Sequence, residues 1–199
     1  MEESDTLRIA KEDILRILAG KTGKKSPLEF VKSEMKASSS FISEAVKELA
    51  EENLIQVAKD SVGLTKQGQD SANSMLEKYL ATERYLKKAR SEGEAHEAAH
   101  ILEHYISQEV IDNIKKLSTL KKKGIPLTEF RLNREGIITN ITFPDSTLFE
   151  RVVSMGIVPG EGIKITNRIG HTIIANVNGS FALNEDIARG IEVLEYERT

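Results

Sequence analysis

Three of the four histidines in the chain fall within nine residues, and a glutamate lies among them. At about 3.6 residues per helical turn, His96, His100, Glu103 and His104 would share one face of a helix, within an arc of roughly 100°. Imidazole nitrogens and carboxylate oxygens are the ligands that manganese, iron, cobalt, nickel and zinc ions prefer. The spacing therefore predicts a transition-metal site on a helix over residues 94–106.

The five residues from His100 to His104 also spell H-x-x-E-H, the pattern of inverted zincins, in which the glutamate is a general base. A zinc hydrolase would need a third ligand, an open water position and a substrate cleft, normally in a larger domain. A solvated helix face is a further alternative. Because Ile101, Leu102 and Ile106 lie on the opposite side of the predicted helix, the pattern favours a metal site.

The composition limits the class of protein that carries this helix. The 199 residues are enough for one or two domains, and the net charge of −3 excludes histone-like coating of nucleic acid but not a local basic surface. No cysteine is present, which excludes disulfides, thiolate zinc sites and iron–sulfur clusters. Because no apolar run approaches the ~20 residues of a membrane span and the first residues are acidic, we predict a cytoplasmic protein without a membrane partner.

The first part of the chain has the pattern of a winged helix-turn-helix. Helical periodicity is predicted over residues 7–19, a second helix opens at Ser26-Pro27, and a third runs to about Glu52, followed by two short β-like runs around a polar tip. In such a domain the third helix enters the major groove of double-stranded DNA and the wing meets the backbone. Small hydroxyls at a helix N-terminus and nearby lysines suit phosphates. The predicted DNA contacts are Lys36, Ser38, Ser39, Ser40, Ser43, Glu44, Lys47 and Lys59.

The pattern changes near residue 120. Before it we predict a long helix over residues 66–90, the histidine helix, and a further helix capped by Ser107. After it, β-branched residues alternate with polar ones between glycine turns, which predicts a small barrel with one short helix. The predicted strands are 136–143, 163–168, 172–177 and 191–195. The expected fold class is α+β, mainly α.

Several motifs, in this order along the chain, carry a family resemblance. They are Lys11-Glu12-Asp13-Ile14-Leu15, Leu64-Thr65-Lys66-Gln67-Gly68 with Lys78–Arg84, His96–His104, Ile125-Pro126-Leu127-Thr128, Ser154–Gly160 and Phe181-Ala182-Leu183. Over nearly its whole length the chain resembles metal-dependent transcriptional regulators of the DtxR (diphtheria toxin repressor) family. The resemblance implies a winged-helix DNA-binding domain over residues 1–70, a helical dimerisation and metal-binding domain over 71–120, and a FeoA-type SH3-like barrel over 124–199.

The resemblance also implies two sets of metal ligands. The primary set is Asp13, His100, Glu103 and His104, and the ancillary set is Glu83, His96 and Asp145. The family usually has cysteine or glutamate where this chain has His100, and a histidine where it has Tyr79, while Leu148 stands where a polar ligand would lie. The alternative for the ancillary set is a structural ion pair between Glu83 and His96. The expected cation is Fe2+ or Mn2+, and Zn2+, Co2+ or Ni2+ could bind in vitro.

The function that the resemblance implies is regulatory and not enzymatic. A divalent cation would bridge the DNA-binding and dimerisation domains of a homodimer, and the ordered dimer would bind a palindromic operator, most simply as a repressor of metal-uptake genes. An alternative is a winged-helix regulator that has lost metal dependence, in which His100 and Tyr79 would be the traces of that loss. The small zinc hydrolase is the remaining alternative.

Overall fold

The computed structural model describes residues 3–20, 25–35, 37–120 and 122–195, which form two compact units, Met1–Glu77 and Lys78–Thr199. The helices are α1 (Glu3–Ala19), α2 (Leu28–Glu34), α3 (Ser39–Glu51), α4 (Lys66–Leu86), α5 (Glu92–Leu102), α6 (Gln108–Leu117), α7 (Ser146–Ser154) and α8 (Glu185–Arg189). The strands are β1 (Ser26–Pro27), β2 (Ile55–Ala58), β3 (Ser61–Leu64), β4 (Ile125–Pro126), β5 (Glu135–Ile141), β6 (Gly162–Ile169), β7 (Thr172–Asn176), β8 (Ser180–Asn184) and β9 (Ile191–Glu195). None of the helices within these ranges combines the length and apolarity of a membrane span.

The first unit is a winged helix-turn-helix, as predicted. Apolar side chains recur at helical spacing on α1 and α3 and meet in one core, in which Ile14, Ile42 and Leu49 are almost fully buried. The hairpin of β2 and β3 forms the wing, and β1 adds a third strand in the order β1-β3-β2. Asn53 ends the α3 turn with a φ of 60°, the left-handed conformation that the sequence suggests.

Two predicted boundaries in this unit are wrong. The first helix begins at Glu3, before the predicted start at residue 7. Ser26-Pro27 does not open the second helix but forms β1, whose Ser26 lies opposite Val62 on β3. Pro27 has the extended ψ of 138° and caps α2, because a residue paired to a neighbouring strand cannot take helical angles.

The two helices that carry the predicted ligands of the second unit are shorter than predicted. The long helix α4 ends at Leu86 and not at residue 90, since the N–H groups of Ala89 and Arg90 both bond to the Leu86 carbonyl, each at 3.0 Å. The histidine helix α5 ends at Leu102 and not at residue 106. Glu103 is its C-cap, so His104 lies in the turn that follows and does not keep regular helical spacing with the residues before it.

The C-terminal strands form one antiparallel sheet in the order β4-β9-β5-β6-β7-β8. Within the described part of the chain no ladder joins the edge strands β4 and β8, so the predicted small barrel is not closed by backbone hydrogen bonds. The prediction missed β8 and the short helix α8 after it. Asn184 joins these two elements: its side chain accepts from the Ile187 N–H at 2.8 Å and caps α8.

Side chains from the helices of the second unit reach backbone carbonyls of the sheet. The Tyr85 hydroxyl donates to the Thr139 carbonyl at 2.8 Å, and Asn113 Nδ2 donates to the Gly160 carbonyl at 3.1 Å. Arg90 donates to the Ile141 carbonyl and stacks its guanidinium 5.2 Å from the Phe149 ring. Burial, together with the charge of Glu192, raises the pKa of Tyr85 to about 12, so that its hydroxyl remains a donor.

Candidate metal centre

Glu103 is the centre of a cluster of three predicted ligands. Its Oε1 lies 3.3 Å from His100 Nδ1 and 3.9 Å from His104 Nε2, and its side chain is only 3% exposed. Each of these three residues offers one ligand atom, and those atoms all lie within 4.8 Å of one another. The end of α5 at Leu102 produces this arrangement, because the turn brings His104 back beside Glu103.

The chemistry of these donors suits a borderline divalent metal. Two imidazoles and one carboxylate match the nitrogen and oxygen ligands of manganese, iron and zinc. Two ligand atoms bound at ~2.1 Å in a tetrahedral arrangement lie roughly 3.4 Å apart, close to the observed separations around Glu103. A bound cation would also compensate the charge of the buried carboxylate, which is costly to bury without a positive charge nearby. The three residues therefore fit a bound cation.

Asp13, the fourth predicted ligand, belongs to the first unit. It lies on α1, half-buried, with its Oδ1 3.4 Å from Arg16 Nη2. Arg16 is not among the predicted site residues, although a basic residue three positions after an acidic one on a helix is a known pairing. Arg16 can thus compete with a cation for this carboxylate.

The ancillary residues form a hydrogen-bonded group around Tyr79. The buried Tyr79 hydroxyl donates to Glu83 Oε1 at 3.1 Å and lies 2.6 Å from His96 Nδ1, which itself lies 3.5 Å from Glu83. Burial would raise the pKa of Glu83, but hydrogen bonds from Tyr79 and the charge of Lys87 outweigh it and hold that pKa below its usual value. Glu83 and His96 thus lie at the separation of the structural pair that the sequence left open as an alternative.

Asp145 does not join this group. Its Oδ1 accepts hydrogen bonds from the backbone N–H of Thr147 at 2.7 Å and of Leu148 at 3.4 Å, which caps α7. Within the ranges that the structure describes, Glu83, His96 and Asp145 form no shared cluster of metal-binding atoms. The ancillary set of Glu83, His96 and Asp145 therefore stays a prediction, and in this structure the Oδ1 of Asp145 caps α7.

The predicted DNA contacts at the start of α3 are exposed. Ser38 caps the helix and its hydroxyl lies 3.0 Å from that of Ser40, while the Ser43 hydroxyl donates to the Ser39 carbonyl at 2.8 Å. Glu44 is exposed on the same surface. The capping role thus accounts for one serine, and the hydroxyls of the others lie along the exposed first turns of α3.

The predicted lysine contacts lie at other parts of the first unit. Lys47 is exposed on α3 and lies 3.7 Å from Glu51. Lys59 is exposed at the turn between β2 and β3, with a φ of 51°. Lys36 lies outside the described residues. Both described lysines are thus accessible to a phosphate backbone.

Two families match the chain. Residues 65–120 match the family described as iron dependent repressor, metal binding and dimerisation domain. Residues 125–195 match the family described as FeoA domain. A search of curated proteins gives no match.

Solved structures resemble the whole chain at low sequence identity. A manganese-dependent transcriptional repressor in complex with manganese is 19% identical, over 93% of this chain and 99% of that one, with a TM-score of 0.47. The manganese regulator SloR is 20% identical, over 94% and 98% of the two chains, with a TM-score of 0.49. IdeR from T. acidophilum is 19% identical, over 98% and 99%, with a TM-score of 0.43.

Proposed function

We propose that the chain, whose residues 65–120 match the metal-binding and dimerisation domain of iron dependent repressors and whose residues 125–195 match the FeoA domain, is a regulator of the DtxR family that binds DNA under the control of a divalent cation. The observation that carries this proposal is the buried Glu103 between His100 and His104. The proposed protein is a cytoplasmic homodimer that represses metal-uptake genes from a palindromic operator. Fe2+ or Mn2+ is the proposed cation.

The proposed ligands are Asp13, His100, Glu103 and His104. The first would come from the winged-helix domain, proposed as residues 1–70, and the others from the dimerisation domain, proposed as residues 71–120. The two carboxylates repel each other in the metal-free state and favour separation of the domains. A bound cation would supply the positive charge that both carboxylates require.

In the proposed mechanism, residues of α3 and of the wing contact DNA. With both domains fixed, the paired α3 helices of a dimer would match two half-sites about one or two helical turns apart. The hydroxyls of Ser39, Ser40 and Ser43 reach base edges or phosphates, and Lys47 and Lys59 contact phosphates. Metal and DNA are then linked ligands, with a typical coupling of ~1–3 kcal/mol.

We propose that the protein is not an enzyme. The general base of a zinc hydrolase must reach a water molecule at an open coordination position. Glu103 is instead nearly inaccessible and lies within 3.3–3.9 Å of two imidazoles, which supports a role as a ligand. Peptidase activity that disappears in Glu103→Gln while zinc remains bound would contradict this proposal.

Metal titration of DNA binding tests the main proposal. Fluorescence anisotropy with promoter fragments, in chelator and then with each divalent ion in turn, should show tighter binding with at least one ion. Asp13→Ala and Glu103→Ala should abolish that increase, whereas Glu97→Ala, an exposed position on the same α5, should retain it. Equal binding by all four proteins at every metal concentration would instead identify a regulator that has lost metal dependence.

A further inference from the structure

Lys11 and Asp13 lie on opposite sides of α1. Two residues correspond to about 200° around a helix, so the two side chains point away from each other. Lys11 Nζ reaches α3, where it lies 3.0 Å from Glu48 Oε2 and 2.5 Å from Glu52 Oε1. One ammonium group thus bonds two carboxylates that stand a turn apart on the neighbouring helix.

This arrangement differs from the other ion pairs of these helices. Arg8 pairs with Glu12 within α1 at 3.1 Å, and Lys47 pairs with Glu51 within α3 at 3.7 Å. Neither of those pairs joins two helices. The Lys11 side chain is only 19% exposed, and burial opposes its charge. Its hydrogen bonds to the two glutamates outweigh that effect and raise the pKa of Lys11 above its usual value.

The apolar contacts between α1 and α3 do not supply the same constraint. Hydrophobic attraction is non-directional, and the orientation of the helices in the core depends on how closely their side chains pack. Charged hydrogen bonds are short and directional, and two of them on successive turns resist rotation of α3 about its contact with α1. Lys11 therefore adds a directional link between α1 and α3 to the apolar core that they share.

We propose that Lys11 is a positioning residue, which makes α1 and α3 move as one body and so transmits cation binding at Asp13 to the DNA-contacting end of α3. This inference rests on the proposed function. Glu48 and Glu52 lie at the C-terminal end of α3, and Ser39 begins it, ~20 Å away at 1.5 Å per residue. A tilt of ~5° over that length moves the serines by roughly 1.7 Å, whereas specific contacts tolerate only ~0.5 Å.

The expected effect of Lys11→Met is selective. The affinity for Mn2+ in the absence of DNA should stay within about twofold of the wild type, because no proposed ligand is removed. The Mn2+-dependent increase in DNA affinity should fall about three- to tenfold, in line with the modest contribution of partly exposed ion pairs. Since linkage is reciprocal, Mn2+ affinity in the presence of DNA should fall by the same factor.

The test uses the full chain and a duplex selected for binding to the Mn2+-loaded wild type. DNA affinity is measured by anisotropy in chelator and in Mn2+, and Mn2+ affinity by calorimetry with and without DNA. Lys11→Arg should retain the stimulation, and Arg8→Met, which removes an ion pair within α1, should leave it unchanged. Glu48→Gln with Glu52→Gln should reproduce the Lys11→Met defect, and all three substitutions together should be no worse.

The outcomes separate this inference from the proposed function. Loss of stimulation in Lys11→Met and in the double glutamine variant, with metal binding intact, supports the inference. Equal loss of DNA affinity with and without Mn2+ would show a merely structural role of Lys11 and overturn the inference. Full stimulation by Mn2+ in either variant would also overturn the inference. If Lys11→Met fails to fold, the double glutamine variant, which keeps Lys11, decides. A wild-type chain that Mn2+ does not stimulate would refute the proposed function itself.

Discussion

Glu103→Gln should remove most of the stabilisation by Mn2+ and leave the stability of the metal-free protein nearly unchanged. In the wild type, Mn2+ at 100 times its Kd should stabilise the folded state by ~2.7 kcal/mol. For a chain of this length, a stabilisation of 1 kcal/mol raises Tm by ~2–4 °C, so the Mn2+-induced shift should be ~5–11 °C. Loss of one ligand should weaken Mn2+ binding at least about a hundredfold. The residual stabilisation is then ~0.4 kcal/mol and the shift ~1–2 °C.

The metal-free variant should behave in the opposite way. Glutamine has the shape of glutamate, and its amide can donate to His100 Nδ1, which lies 3.3 Å from the present carboxylate oxygen. It carries no charge, so the cost of burying a carboxylate at a position only 3% exposed disappears. We therefore expect the metal-free variant to unfold at the same temperature as the wild type or slightly above it.

The assay is thermal unfolding followed by circular dichroism, first in chelator and then in Mn2+. Glu97→Gln, at an exposed position of the same helix, is the matched control and should keep the full Mn2+ shift. A general folding defect would lower both transitions, whereas loss of a ligand lowers only the second. If Glu103→Gln kept a Mn2+ shift as large as that of the wild type, Glu103 would not be a ligand and the proposed site would be wrong.

Three other substitutions follow from the contacts. Arg16→Gln frees Asp13 from a cation 3.4 Å away, and calorimetry should show Mn2+ affinity several-fold higher; lower or equal affinity would contradict the competition. Tyr79→Phe removes a hydrogen bond that lowers the Glu83 pKa. A carboxyl pKa that is lower in the folded than in the unfolded state stabilises the fold at pH values above the unfolded pKa of ~4.3, and this stability is lost as the pH falls through the folded pKa. Without the hydrogen bond from Tyr79, the metal-free variant should therefore unfold at a higher pH than the metal-free wild type during acid titration. Arg90→Met should speed tryptic cleavage after Lys122 or Lys123, which precede the sheet, since it removes a hydrogen bond to Ile141 of β5 and a ring contact to Phe149 of α7; an unchanged rate would refute this role.

The winged-helix unit was predictable because its signals are local. Apolar spacing on α1 and α3, a serine cap, and Asn53 in a left-handed turn each act within a few residues. The exception is β1, a two-residue strand that exists only because Ser26 and Pro27 pair with a distant strand. Propensity alone favours a helix start at that proline, and tertiary pairing overrides it.

The end of α5 could not be predicted from apolar spacing. Leu102 and Ile106 stand four residues apart and are both buried, as they would be on one continuous helix. The chain instead turns, with the N–H groups of Tyr105 and Ile106 both bonded to the Leu102 carbonyl at 2.9 and 3.2 Å. Periodicity cannot distinguish these two ways of burying the same residues; of the three histidines that it grouped with Glu103, His100 and His104 cluster with it and His96 lies beside Tyr79 and Glu83.

The ancillary ligands show why residue type alone does not define a metal site. Tyr79 differs from histidine by having a hydroxyl that can donate, and it bonds Glu83 while lying beside His96. The Asp145 carboxylate accepts hydrogen bonds from backbone amides at the start of α7. Among the described carboxylates only Glu103 is buried, and it lies beside the imidazoles of His100 and His104. The proposed dependence on metal therefore rests on Glu103, whereas the helices of the second unit contact the sheet through hydrogen bonds that need no ion.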